Sequence, residues 1–249
     1  MAQRFTDVLA YVLWLCWTCL STTEARLMDP AYRILIPSSA VLAQICTTAI
    51  SFAPDLLNAV QSVTPPTLKF FESLPSERGM RQRGKRRWAV YLIVLRKFGS
   101  RPKIYIGSAT STDGGISDRM NDYEKKNLLP VGVERALDDG YFISHQGLLC
   151  WTDMPQPLLR IPCRALFLVL ETVFSLVFWA MSSRTGDYKM PRLCPWDIVS
   201  LVYDGCCTHM PLIEGIYGVK EYLTVEQINQ VEAERAERTR VAMALHQGK

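Results

Sequence analysis

The sequence predicts a small mixed α/β (α+β) domain, a β-hairpin plus a third strand flanked by helices, with helical extensions on its N- and C-terminal sides. Two runs, Trp88 to Leu95 (WAVYLIVL) and Lys103 to Ala109 (KIYIGSA), are rich in β-branched and aromatic residues, and a short turn-like segment joins them, the pattern of an antiparallel hairpin. Tyr141 to Trp151 (YFISHQGLLCW) reads as a third strand. Arg164 to Met181 is a long apolar run, read as a buried helix.

Taken in order, residues 1–77 read as a helical region. Val8 to Leu20 is an apolar run of signal-peptide length, followed by Thr23-Glu24-Ala25. Asp7 beside Arg4 leaves its start without a clear positive charge, and the run is short for a membrane span. Two readings stand: a buried or interfacial helix, or a targeting or membrane segment. Ser38-Ser39 precedes the apolar run AVLAQICTTAI, and a serine there can cap a helix, Pro54 opens DLLNAV, and Pro65-Pro66 breaks the pattern. Residues 78–87 (RGMRQRGKRR) hold six basic residues and two glycines and no acid, so the segment reads as an exposed basic linker. It is a tether, a phosphate-contacting segment or a nuclear-import signal. After the hairpin, Ile116 to Lys126 has helical spacing, and Val131 to Asp139 reads as a short helix closed by Gly140. Residues 88–182 form the predicted domain, and 183–249 form a C-terminal extension. There, Thr224 and Gln227 make a capping box, and Glu234 with Arg238 gives one-turn charge support to a solvated helix.

Composition limits the alternatives. A 49% hydrophobic and 21% charged chain of 249 residues is not disordered as a whole. The net charge of +4 admits a nucleic-acid partner without arguing for one. Eight scattered cysteines, several inside apolar runs, read as buried free thiols in a reducing compartment, nuclear or cytoplasmic, rather than as a disulfide framework. Cys206, Cys207 and His209 lack the two-residue cysteine spacing of a zinc site and are read as packed thiols with a satisfied histidine.

Along this element order sit Tyr91 in the first strand, Tyr105-Ile106-Gly107-Ser108 in the second, Arg119 in the first helix and Glu171 in the last. The arrangement resembles the GIY-YIG nuclease superfamily over roughly residues 88–182, the first signature reading Ala89-Val90-Tyr91. The string IYIGSATSTDGGISDRM is similar to the version in fungal GIY-YIG-domain proteins. Ala89 stands where the family commonly has glycine, and Tyr123 where many members have histidine.

The resemblance implies an endonuclease that hydrolyses nucleic-acid phosphodiesters, with DNA the expected substrate, Mg²⁺ or Mn²⁺ the expected cofactor and no organic cofactor. It implies Tyr91, Tyr105, Arg119, Tyr123 and Glu171 as catalytic residues, with Glu171 holding the metal. Arg83, Lys85, Arg86, Arg87, Gly107 and Ser108 are the expected nucleic-acid contacts. A catalytically silent module that binds nucleic acid or protein is the alternative. The residues argue in the same direction. Glu171 stands alone in ALFLVLETVFSLVFWAM, and a buried carboxylate needs a base or a metal, unless it lies on a solvent-facing stripe. Arg119 and Tyr123, one turn apart, share a helix face on which a guanidinium could grip a phosphate.

Overall fold

A computed structural model describes residues 5–46, 50–80, 85–182 and 190–247. The fold is mixed α/β. In chain order the elements are α1 (Val8–Thr22), α2 (Ala31–Leu35), α3 (Ser39–Ile45), β1 (Ser51–Phe52), α4 (Leu56–Val60), α5 (Leu68–Glu72), α6 (Glu77–Met80), β2 (Arg87–Arg96), β3 (Lys103–Ala109), α7 (Ile116–Lys125), α8 (Val131–Asp138), β4 (Phe142–Asp153), α9 (Arg160–Val177), β5 (Asp204–Gly205) and α10 (Val225–Gln247).

The five strands form one sheet in the order β1-β4-β2-β3-β5. β2 and β3 are the predicted antiparallel hairpin, with Tyr91 opposite Gly107 and Ile93 opposite Tyr105. β4 pairs antiparallel on the other side of β2, with register shifts between Val90 and Tyr91 and between Val94 and Leu95. Each shift leaves an extra β4 residue, Leu149 and Ser144, bulged out of the ladder. β5 lies parallel to β3 and pairs only with Lys103 and Ile104.

The sheet is covered on both faces, which explains why central β2 reads as an unbroken hydrophobic run rather than an alternating one. Alternation then divides its side chains between two cores. Trp88, Val90, Leu92 and Val94 face α9 and the N-terminal helices, while Ala89, Tyr91, Ile93 and Leu95 face α7 and α8. α1 contributes Val12, Leu15, Cys16, Cys19 and Leu20 to the first core, where it packs on α9, α3 and α4. Among the described residues no helix is long and apolar enough to cross a membrane. All eight cysteines carry free thiols, and only Cys194 is not buried.

Local signals place the helix ends. Ser38 Oγ accepts from Val41 N–H at the start of α3, and Thr224 and Gln227 exchange the two bonds of a capping box at the start of α10. Gly140 closes α8 at φ +86°, letting Tyr141 N–H reach back to Ala136 O. α9 begins at Arg160 rather than Arg164, because Pro162 sits in its first turn, where no intrahelical N–H is needed. It ends at Val177 rather than Met181: Trp179 takes φ +47° and Ala180 N–H turns back onto Ser175 O.

The predicted Glu234–Arg238 pair does not form. Glu234 pairs with Arg33, and Arg238 reaches toward Asp29 at 4.0 Å. Asp29 is the anchor of α10: it is 1% exposed, receives Arg235 through two bonds of 2.7 and 3.0 Å, and accepts Ala31 N–H at the head of α2. Asp29→Ala should therefore cost about 2–3 kcal/mol in urea unfolding, below the full range for a broken buried pair because Arg235 keeps 30% of its side chain exposed. It should also speed amide exchange in the first turns of α10. An unchanged unfolding midpoint would show that the clasp holds nothing.

Candidate active site

The hairpin register sets two tyrosines on the α7 face. Tyr91 and Tyr105 are diagonal neighbours across β2 and β3, with ring centroids 6.3 Å apart. Gly107 makes this possible. A Cβ there would lie 2.5 Å from Tyr91 Oη and 2.9 Å from Tyr105 Cε1, so only a glycine leaves room for both rings.

α7 closes over them. Arg119 Nε donates to Tyr91 Oη at 3.1 Å, and Tyr91 and Tyr123 share a hydroxyl–hydroxyl bond of 3.1 Å. The Arg119 guanidinium also lies 5.1 Å from the Tyr123 ring centroid. Its Nη1 bonds Leu128 O at 2.8 Å and sits 3.6 Å from Asp122, which leaves Nη2 without a protein partner among the described residues. Burial pushes the Tyr91, Tyr105 and Tyr123 phenols up, so all three are neutral near pH 7 despite the adjacent arginine. Tyr91 is therefore a hydrogen-bonding group that orients its neighbours, and deprotonation to a phenolate is disfavoured.

Glu171 approaches from the other face of the sheet, around the edge of β3. Beyond Ile104 that edge has no strand partner, and three groups take over its hydrogen bonding in turn. Cys206 N–H donates to Ile104 O, the Cys207 thiol meets both Ile106 N–H and Ile106 O, and Glu171 receives Ser108. Ser108 Oγ donates to Glu171 Oε2 at 2.6 Å. Glu171 is only 9% exposed, so it does not lie on a solvent-facing stripe. Its charge reaches Tyr91 and Tyr105, raising both phenols further. The consecutive residues Gly107 and Ser108 thus join the two halves of the site, one holding the tyrosines and the other the carboxylate.

The segment after β5 adds two groups that the sequence did not assign to the site. His209 Nε2 hydrogen-bonds Glu214 Oε1, and both side chains are about half exposed beside Glu171. That bond raises the His209 pKa. Burial lifts Glu171 to about 7, with the Ser108 bond opposing it and the Glu214 carboxylate adding to it. The only sequence signal for this pair was a histidine five residues before a glutamate in a loop, which carries nothing until β5 docks. Cys206 and Cys207 spend their thiols on β3 carbonyls, and no group of three or more potential ligands gathers among the described residues.

The Glu171 shift sets a testable pH dependence. Between the ordinary 4.5 and about 7, the folded chain holds a proton that the unfolded chain has released. Stability therefore falls as pH rises through this window, and the loss is complete above about pH 7. In chelator, the melting temperature of the wild type should drop from pH 5 to pH 7.5 by more than that of Glu171→Gln. Equal drops would place the titration on another group.

The basic segment before β2 is partly committed. Arg87, the first residue of β2, bonds Met80 O at 2.6 Å and pairs with Asp153 at 3.4 Å, and Lys85 shares Asp153 at 3.8 Å. Arg86 donates to the carbonyls of Thr112 and Asp113, on the loop leading to α7. Lys85 and Arg86 remain exposed, while Arg83 lies outside the described residues. Comparison with known proteins returned no matching family model, curated relative or solved structure.

Proposed function

We propose that this chain is a divalent-metal-dependent endonuclease of the GIY-YIG type, hydrolysing phosphodiester bonds of nucleic acid, with DNA the first substrate to test. One observation carries the reading: Gly107 seats Tyr91 and Tyr105 under Arg119, while the next residue, Ser108, holds a buried carboxylate at the same strand edge. Paired tyrosines, an arginine with a free nitrogen and an isolated glutamate are the groups needed to bind a phosphodiester and direct water at its phosphorus.

The residues fit a hard cation at Glu171. No lysine or arginine pairs with this carboxylate among the described residues, so its charge lacks a full protein counterion. Mg²⁺ needs only one or two carboxylates, the remaining positions going to water and phosphate oxygens. Such a cation would neutralise charge developing on the phosphate as the bond to the leaving oxygen breaks. Arg119 Nη2 supplies a fixed positive donor to a non-bridging oxygen. Tyr91, neutral and already bonded to Arg119 and Tyr123, presents an oriented oxygen to the attacking water, with Tyr105 alongside.

Near-complete burial of Tyr91 and Tyr123, at 1% and 2% exposure, favours a second reading, a silent nucleic-acid-binding module of the same type. Incubating the purified chain with labelled single-stranded, duplex and branched DNA and RNA separates the two. Cleavage that appears with Mg²⁺ or Mn²⁺ and vanishes in chelator supports the nuclease, binding without cleavage supports the module, and neither activity overturns both.

A further inference from the structure

Arg164 lies on α9 seven residues before Glu171, two turns or about 10 Å along the same face. It is 9% exposed, and no carboxylate pairs with it among the described residues. Its guanidinium lies over two rings, 5.4 Å from the Trp88 centroid and 5.4 Å from that of Tyr217. Its donors hold the surroundings in place: Nη1 to Tyr217 O at 2.7 Å, Nη2 to Thr110 O at 3.1 Å and Nε to Thr110 Oγ1 at 3.4 Å. The end of β3, α9 and the segment carrying His209 and Glu214 are thereby tied together beside the candidate site.

Tyr217 is 83% exposed. A lone exposed aromatic is ordinary on a protein surface, but this one has its inner face fixed against a guanidinium and its outer face open. An aromatic plane with an uncompensated positive charge behind it, that charge carried by an arginine two helical turns from Glu171, matches a nucleotide: a flat base next to an anionic backbone. In a continuous duplex both faces of each base are already stacked, so only an unpaired or extruded base can use such a surface.

We infer that Tyr217, backed by Arg164 and Trp88, is a stacking platform for an unpaired nucleobase flanking the scissile phosphate. The chain therefore favours single-stranded or locally opened nucleic acid over continuous duplex. This inference rests on the nuclease reading above and adds the form of substrate that it takes.

The test uses the full chain carrying Glu171→Gln, so that bound strand is not cut, with fluorescence anisotropy of a labelled oligothymidylate alone and annealed to its complement. Tyr217→Ala on this background should weaken single-strand binding about tenfold, the scale of one base stack, and leave duplex binding unchanged. Tyr217→Phe should restore it, and the salt dependence should keep its slope because no phosphate contact is lost. An unmoved affinity in Tyr217→Ala, an equal loss on duplex, or no rescue by phenylalanine overturns the platform while the nuclease reading stands. A parent chain that binds neither form of strand overturns both.

Discussion

Glu171→Gln should lower cleavage by at least about a thousandfold, or about 4 kcal/mol of transition-state stabilisation, while leaving the fold intact. The reason lies in what surrounds the carboxylate. Glutamine keeps an oxygen to accept Ser108 Oγ–H, and removing the charge strands no lysine or arginine, because none pairs with Glu171 among the described residues. Desolvation disfavours the charge, so the variant should melt at or above the wild-type temperature in metal-free buffer at neutral pH. A stable protein that does not cut is thus expected, in contrast to a structural glutamate, whose loss would lower stability and cleavage together. Arg119→Ala should also be severely impaired, through lost phosphate contact, and added Mn²⁺ should not rescue it. Wild-type cleavage per folded molecule in Glu171→Gln would remove this residue from the mechanism.

Gly107→Ala should be the second large effect. The new methyl would meet the Tyr91 phenol at 2.5–2.7 Å and the Tyr105 ring at 2.9 Å, and Tyr91 is too enclosed to swing away. Overpacking of this kind costs about 1–3 kcal/mol. The catalytic cost should exceed the stability cost, because shifting Tyr91 moves the atom that Arg119 and Tyr123 both hold. Misplacement by about 1 Å is worth about a hundredfold in rate. Cleavage measured well below the melting temperature separates the two effects, and a variant that cuts normally would show that the tyrosine spacing is irrelevant to the reaction.

The parts of this site that were legible in the sequence are those written locally. β-Branched runs gave the hairpin, a serine and a glycine gave helix ends, and one acid in an apolar stretch gave Glu171. Arg164 carried the same signal as Glu171, a charge in the same apolar helix seven residues earlier, and could have been flagged by the same rule. β1 and β5 could not. Each is two residues long and has no pattern of its own, existing only where β4 and β3 offer an edge. His209, Glu214 and Tyr217 depend on β5, so their place beside α9 follows from docking rather than spacing. The charge pair expected inside α10 was lost to a stronger competitor, since the buried Asp29 carboxylate takes Arg235 and draws Arg238 toward it.

The way β3 completes its hydrogen bonding also sets a timetable for biosynthesis. Ile106 and the thiol that meets it are 101 positions apart, and Asp29 is 206 positions from Arg235. At about 5–20 residues per second on the ribosome, the hairpin waits several seconds or more for the segment that finishes its edge. During that interval β3 presents an open strand edge, the feature that invites pairing with other chains. The nascent protein is then at its most aggregation-prone and has not yet assembled the groups around Glu171. Any chemistry that depends on these groups is thereby deferred until the segment carrying His209 and Glu214 has been made.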